Sequence, residues 1–224
     1  MSEPPRVVVL DVNETLSDLT PLGARFSDVG APEDLARLWF ASVLRDGFAL
    51  AAAGAAEPFA RIGGGLLQTL LAGQPLNRDL DDAVDHVLSG FADLPVHRDV
   101  PAGLRRLRAA GLRVVTLSNG SADVADRLLT RAGVRDELEA LLSVEDAGVW
   151  KPAPAAYAYA ARRCGVETRD LMLVAVHPWD VDGAARAGLR TAWVDRGGSR
   201  YPDYLTAPEL TVTGLDDLAD RLGG

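Results

Sequence analysis

The sequence predicts an α/β protein, a doubly wound parallel sheet with a Rossmann-like core and an inserted helical cap. Its 224 residues suffice for one domain and a small second unit. The run Val7–Leu10 is rich in β-branched residues, which is typical of a buried parallel strand. Beyond residue 94, strand-like and helix-like segments alternate, and strands connected in this way form parallel sheets with helices on both faces.

Residues 20–93 carry helical signals and no run comparable to the first strand. A helix that opens at Pro32-Glu33 is expected to place Leu35, Leu38 and Trp39 on one face, at i, i+3, i+4 spacing. The triple glycine at 63–65 follows no strand and precedes no Gly-Lys-Ser/Thr, so it does not predict a phosphate loop. We expect it to mark either a helix break or close packing.

From Asp99 onward, the first predicted helices end before glycines, which favour the position after a helix. The predicted elements are helix 101–110, strand 112–117, helix 122–132, strand 141–144, helix 154–164, strand 171–176, helix 180–187, strand 189–194, strand 210–213 and helix 215–222. We therefore expect residues 1–19 and 94–224 to form the core, and residues 20–93 to form a cap inserted after the first strand.

Composition excludes several classes of protein. The formal net charge of −9 argues against nucleic acid as a partner. The single cysteine, Cys164, excludes an internal disulfide and a four-cysteine zinc site. The apolar run at Val7–Leu10 is too short for a signal peptide or a membrane span, so we expect a cytoplasmic protein without membrane contact. Lys151 is the only lysine among 23 basic residues, which indicates either chance or a site that needs a compact ammonium.

Polar residues follow the predicted strands at the edge where open parallel sheets bind ligands. They are Asp11, Ser118, Asn119, Lys151 and Asp180. Each has a structural interpretation as well, since such residues also form turns and cap helices. Their convergence on one crevice favours a functional site, in which a carboxylate facing an ammonium stays ionised, as an attacking nucleophile must.

These residues resemble four motifs of the haloacid dehalogenase superfamily, in that family's order. The motifs are Asp11-x-x-x-Thr15 after an apolar strand, Ser118-Asn119, Lys151-Pro152 and Trp179-Asp180. The chain is most similar to the type II branch, the L-2-haloacid dehalogenases, and Trp39 and Tyr157 also fit that branch. The resemblance covers nearly the whole chain.

The resemblance implies a hydrolase that needs no metal or cofactor and acts on a small carboxylic acid. Asp11 would attack carbon and form an ester that water then cleaves, while Thr15 and Lys151 hold its carboxylate. Asp180 would position Lys151 and help to activate the water. The residues that we predict to line or support the substrate site are Trp39, Phe40, Ser118, Asn119, Tyr157, His177 and Trp179. His177 could instead be a catalytic base, or simply pack at the end of its strand.

Two departures from the superfamily's patterns bear on the reaction. Its phosphatases place an acid two residues after the nucleophile and another after the fourth strand, where this chain has Asn13 and Val176. Its dehalogenases place a halide-binding Arg after the cap Trp, where this chain has Phe40, and Arg37, Arg45 or His177 are candidates to replace it. A magnesium-dependent phosphatase and a non-catalytic relative remain the alternatives, and a homodimer stays open.

Asn13 and Val176 predict that hydrolysis survives removal of divalent metal. After exhaustive chelation, the rate on the true substrate should be unchanged, because neither residue supplies the carboxylate oxygens that magnesium prefers. Rates on 2-haloacids and on phosphate esters, with and without added magnesium, check this. A rate that falls in chelator and returns with magnesium would assign the chain to the phosphatases.

Overall fold

The computed structural model describes residues 4–223, which divide into two compact units. The first contains the chain up to Ser17 and resumes at Val96, and the second is Asp18–Pro95. In chain order, the strands and α-helices are β1 (Val7–Leu10), α1 (Leu22–Asp28), α2 (Leu35–Ala52), α3 (Phe59–Leu71), α4 (Leu80–Ala92), α5 (Val100–Ala109), β2 (Arg113–Ser118), α6 (Ala122–Arg131), β3 (Ala140–Ser143), α7 (Val144–Ala147), α8 (Pro154–Cys164), β4 (Leu171–Ala175), α9 (Pro178–Arg186), β5 (Arg190–Val194), β6 (Leu210–Val212) and α10 (Leu215–Gly223).

The first unit is built on a six-stranded sheet in the order β3-β2-β1-β4-β5-β6. Every neighbouring pair is parallel, which confirms the predicted α/β fold class. The chain leaves β1 through β2 to β3 on one side and returns to β4 on the other. The strand order therefore reverses at β1, and the carboxyl end of β1 lies at the switch point where sheets of this kind bind ligands.

Strand β1 is enclosed on both faces. Side chains alternate between the two faces of a strand, and Val7 and Val9 on one face are as fully buried as Val8 and Leu10 on the other. Val8 and Leu10 belong to an apolar cluster that includes residues of α5, α6 and α10. The central strand consequently delivers the residue after Leu10 into the protein interior.

The second unit contains helices α1–α4, and two of them, α2 and α3, test what the sequence predicts for this segment. Helix α3 runs through the triple glycine unbroken, so the glycines do not end a helix. Instead Gly63 gives close packing, because a Cβ there would lie 3.0 Å from Cζ2 of Trp39. The shared face predicted for Leu38 and Trp39 is wrong: Leu38 is 52% exposed, whereas Trp39 is buried, since the buried side of α2 follows Trp39, Phe40 and Val43.

Two boundaries in the first unit also differ from the predicted ones. The predicted strand at 141–144 ends at Ser143, whose hydroxyl accepts a hydrogen bond from Glu145 N and caps the short helix α7. Helix α9 begins at Pro178, so Asp180 lies inside its first turn and does not cap it. No helix within residues 4–223 has the length and apolar character needed to cross a membrane.

Gly103 is where α5 approaches the start of α10, which generates a stability prediction. An alanine Cβ there would lie 2.4 Å from Leu215 Cβ, so Gly103→Ala should lower the free energy of unfolding by about 1–3 kcal/mol through overpacking. The control is Gly65→Ala in α3, where a Cβ meets nothing within 4 Å. That variant should gain about 0.5–1 kcal/mol from helix propensity. Urea titrations of both variants measure the difference, and equal midpoints would contradict the packing argument.

Candidate active site

Asp11 stands at the carboxyl end of β1, directly after the buried strand. Its backbone N–H donates to Val174 O of the neighbouring β4 (3.0 Å), which continues the ladder one residue past the strand. The side chain is almost completely buried. Because an ionised carboxylate in such a place must be compensated, its partners decide what it can do.

The Asp11 carboxylate has a bonded partner on each oxygen. Thr15 Oγ1 donates to Oδ2 at 2.7 Å, and Lys151 Nζ donates to Oδ1 at 2.8 Å. The Thr15 hydroxyl also accepts a bond from Val176 N at 3.1 Å, which ties it to the end of β4. The structure thus brings together the Asp, Thr and Lys that the sequence places far apart.

Lys151 is fully buried and shared between two carboxylates. Its ammonium lies 2.6 Å from Oδ2 of Asp180, which is also fully buried. The other Asp180 oxygen, Oδ1, accepts a bond from the Tyr157 hydroxyl at 2.6 Å, and the same hydroxyl lies 3.1 Å from Asp180 O. The four residues predicted to be catalytic, Asp11, Thr15, Lys151 and Asp180, therefore form one continuous hydrogen-bonded group with Tyr157 at its end.

Burial and charge act in opposite directions on the pKa values of this group. Burial alone would raise the pKa of Asp11, but the charges of Lys151 and His177 and the hydrogen bonds from Lys151 and Thr15 bring it below its ordinary value. Burial would lower the pKa of Lys151, and the two carboxylates raise it. The group therefore keeps Asp11 as a carboxylate and Lys151 as an ammonium at neutral pH.

The pKa of Asp180 shifts in the direction opposite to that of Asp11. Burial raises its pKa, and although Lys151 opposes this shift, the nearby charge of Asp11 adds to it. Burial and the Asp180 charge also raise the pKa of Tyr157 well above its ordinary value, so the phenol stays protonated and donates. Of the two carboxylates that share Lys151, Asp180 is consequently the stronger base.

Asn119 holds the lysine by its backbone. Its side-chain oxygen accepts Lys151 N at 2.9 Å, and its Nδ2 donates to Lys151 O at 3.3 Å. Both ends of the amide are thus engaged in fixing the loop that carries Lys151. Its predicted place in the substrate site stays a prediction, and the structure adds this positioning contact.

Ser118 lies at the end of β2, and its Oγ accepts Gly120 N at 2.9 Å. Ser143 on the neighbouring β3 donates to Gly120 O at 2.9 Å, and Ser121 caps α6 by accepting Val124 N. The turn after β2 is therefore rigid. The bond at Ser118 uses an oxygen lone pair, so its O–H can still donate to a ligand oxygen.

His177 lies beside Asp11 and acts as a hydrogen-bond donor. Its Nε2 is 3.1 Å from Asn13 O and 3.7 Å from Asp11 Oδ2, and a carbonyl partner requires a proton on that nitrogen. The ring stacks on Trp179 at 5.1 Å between centroids, and the Lys151 ammonium lies 6.0 Å from the centre of the Trp179 ring. Whether His177 acts as a base or a substrate contact stays a prediction.

The two predicted site residues of the second unit belong to its aromatic core. Trp39 is fully buried, donates from Nε1 to Gly63 O at 2.9 Å and packs edge-on against Phe59 and Phe91. Phe40, also buried, packs against the same two rings. The predicted substrate contacts of Trp39 and Phe40 stay predictions.

The two cations considered as substitutes for a halide-binding arginine, Arg37 and Arg45, are both exposed. Arg45 pairs with its neighbour Asp46 at 2.8 Å.

The donor set at the end of β1 does not fit magnesium. The two buried carboxylates, Asp11 and Asp180, already bond the Lys151 ammonium, and Asp180 has its second oxygen on Tyr157. Among residues 4–223, no group of three or more His, Cys, Asp or Glu side chains is placed to hold a metal ion. The oxygen-rich shell that magnesium prefers is thus not assembled.

Sequence reasoning missed the residues that hold the turn after β1 from outside. His97 Nε2 donates to Glu14 O at 2.9 Å, and Arg196 donates to Thr15 O at 2.9 Å. Their acceptors are backbone carbonyls, which have no signature in a sequence. Glu14 itself has a positive φ of 61°, a conformation that only the three-dimensional structure reveals.

Comparisons with known proteins place this geometry in context. The family model described as haloacid dehalogenase-like hydrolase matches residues 5–188. Haloacetate dehalogenase H-2 of Moraxella sp. (strain B) is 35% identical over 118 residues, which are 53% of each chain. The (S)-2-haloacid dehalogenase of Pseudomonas sp. (strain YL) is 33% identical over 141 residues, 62% of this chain and 61% of its own. The chain thus matches between about half and two thirds of the length of these relatives.

Solved structures match over the entire chain. A dehalogenase crystallised with an intermediate complex has a TM-score of 0.92 and 26% identity, and covers 100% of both chains. The L-2-haloacid dehalogenase of Xanthobacter autotrophicus with chloropropionic acid covalently bound has a TM-score of 0.84 and 25% identity, over 98% of this chain and 99% of its own.

The geometry predicts that arginine cannot replace Lys151. A planar guanidinium is too large to replace an ammonium that lies 2.8 Å from one carboxylate and 2.6 Å from another, so Lys151→Arg should lose about 100-fold or more in turnover of the substrate. The exchange Arg162→Lys at an exposed position of α8 is the control and should be neutral. Thermal unfolding checks that both variants fold. A Lys151→Arg rate close to that of the unmodified protein would remove Lys151 from the active site.

Proposed function

Because the chain belongs to the haloacid dehalogenase-like hydrolases, we propose that it hydrolyses the carbon–halogen bond of a small 2-haloacid through an ester on Asp11. The observation that carries the proposal is the buried Asp11 carboxylate, bonded to Lys151 and Thr15 and kept ionised by them. A carboxylate without a proton and with fixed orientation is a nucleophile ready to attack.

In the first step, an Asp11 oxygen attacks the carbon that bears the halogen. A carbon–oxygen bond forms while the carbon–halogen bond breaks, and the halide leaves with the bonding electron pair. Lys151 and Thr15 each hold one carboxylate oxygen, so the rotation of the carboxylate is restricted before the substrate arrives. This preorganisation removes an entropic part of the barrier.

In the second step, water attacks the Asp11 carbonyl carbon of the ester. The water oxygen bonds to the Asp11 carbonyl carbon, and the bond from that carbon to the substrate oxygen breaks. We assign one proton of this water to Asp180, the carboxylate of the pair that remains once Asp11 is an ester, because Lys151 is already an ammonium. The departing substrate oxygen takes up a proton and leaves as a 2-hydroxy acid, and Asp11 returns to a carboxylate with release of one proton to solvent. Tyr157 keeps Asp180 oriented through the 2.6 Å bond.

The substrate carboxylate is assigned to the turn after β2. The Ser118 hydroxyl can donate there. Two hydrogen bonds hold this turn, one from Ser143 Oγ to Gly120 O and one from Gly120 N to Ser118 Oγ. The names of the relatives, a haloacetate and (S)-2-haloacid dehalogenases, support short haloacids as the substrate class. Location in the cytoplasm and oligomeric state stay predictions.

Oxygen-18 water tests the ester mechanism. In a single turnover with enzyme in excess, the product should carry no label and Asp11 should carry it, because water attacks the enzyme's carbonyl carbon. Mass spectrometry of the peptide that contains Asp11 measures this, and Asp11→Asn is the control that should form no labelled carboxylate in the same time. Label in the first-turnover product would mean that water attacks the substrate directly, and would overturn the proposal.

A further inference from the structure

The turn after β1 is held by a series of side chains from distant parts of the chain. Its consecutive carbonyls at Asn13, Glu14 and Thr15 accept hydrogen bonds from His177, His97 and Arg196, at 3.1, 2.9 and 2.9 Å. Within the turn, Leu16 N and Ser17 N both donate to Val12 O. The external donors therefore take the carbonyls that the turn leaves pointing outward.

A second anchor fixes the guanidinium of Arg196. Its guanidinium pairs with Asp99 through both terminal nitrogens, Nη1 to Oδ1 at 2.8 Å and Nη2 to Oδ2 at 3.2 Å. Asp99 also accepts Leu215 N at 2.8 Å, which fixes the carboxylate to the start of α10. A bidentate pair held in this way has one geometry, so the Nη2 group reaches Thr15 O from a fixed direction.

The residue that Arg196 holds is the one that orients the nucleophile. Thr15 donates its hydroxyl to Asp11 Oδ2 at 2.7 Å and accepts Val176 N at 3.1 Å. Its carbonyl, side chain and position are thus set from three strand ends: those of β1, β4 and β5. A small rotation of Thr15 would lengthen the bond to Asp11, and bonds to charged groups are sensitive to such changes.

We propose that Arg196, aligned by Asp99, is a positioning residue for Asp11 that acts through Thr15. It touches neither Asp11 nor the predicted substrate-binding residues in any contact described above. It sets the direction of the Thr15 hydroxyl, and through it the orientation and the ionisation of the nucleophile. The effect of Arg196 on the rate of ester formation rests on the proposed function, whereas its effect on the pKa of the Asp11 carboxyl group does not.

A merely structural ion pair is the competing explanation, and the same strand provides a matched control. Arg190, at the first residue of β5, pairs with Glu209 through two bonds of 2.9 and 2.6 Å. The side chains of Arg190 and Arg196 are both 20% exposed. Arg190 lies at the amino end of the strand, away from the turn after β1, so Arg190→Lys weakens a similar two-bond pair without touching Thr15.

The experiment compares Arg196→Lys with Arg190→Lys by three measurements. These are the single-turnover rate of ester formation with a 2-haloacid, the pKa of Asp11 from carbon-13 NMR of its carboxyl group, and thermal unfolding. Arg196→Lys should slow ester formation about tenfold, the loss expected for one weakened bond to a charged group, with little change in KM. The pKa of Asp11 should rise, because the carboxylate loses part of the Thr15 bond. Arg190→Lys should change neither quantity.

A second comparison tests the route through Thr15. In the Thr15→Val background the hydroxyl is gone, so Arg196→Lys should cause no further change in rate or in the pKa of Asp11. If Arg196→Lys does not fold, Asp99→Asn weakens the anchor and leaves the guanidinium present, and the same shifts are expected at smaller size.

The outcomes separate the two hypotheses. If the unmodified protein forms no ester with any haloacid, the proposed function fails, and the pKa of Asp11 alone decides the role of Arg196. If ester forms and Arg196→Lys matches Arg190→Lys in both rate and pKa, the positioning role is overturned. Equal effects of Arg196→Lys with and without the Thr15 hydroxyl would overturn the route through Thr15.

Discussion

A single ammonium group buried between two carboxylates organises the centre of this protein. Removing each of these ions from water costs several kcal/mol, roughly, and only close pairing with further hydrogen bonds offsets that cost. Lys151 meets this condition with Asp11 on one side and Asp180 on the other. Thr15 and Tyr157 supply the outer bonds, and Asn119 fixes the backbone that delivers the lysine. These contacts hold the two carboxylates and the lysine backbone around the central charge.

The trio also explains why two aspartates in one site behave differently. One cation and two anions leave an excess of one negative charge, and the pKa values respond differently: burial and the charge of Asp11 raise the pKa of Asp180, the more enclosed of the two. In the proposed reaction, esterification neutralises Asp11 and the departing halide removes the excess charge. Lys151 and Asp180 then form a balanced pair beside the ester. Hydrolysis restores the original imbalance, so the state of Asp11 controls the basicity of Asp180 throughout the cycle.

The strand ends could be predicted from the sequence because periodicity and strand composition are local signals. Parallel strands end at one edge, so Asp11, Ser118, Lys151 and Asp180 could be assigned to one crevice from their order alone. The supports of the turn after β1 could not, because His97 and Arg196 bind carbonyl groups and any residue provides those. The packing of the second unit could not be predicted from the sequence either. The sequence allowed either a helix break or close packing at the triple glycine, and only the position of Trp39 against Gly63 decides for packing.

The enclosure of Lys151 has a chemical consequence beyond the active site. It is the only lysine in the chain and its side chain is fully buried in the folded protein. Reagents that acylate lysine need an accessible, unprotonated amine, and here the amine is both shielded and held as an ammonium by its neighbours. Acylation of this chain's lysine would therefore require the centre of the sheet unit to open. The side chain that completes the site is at the same time a built-in reporter of how often the fold exposes its interior.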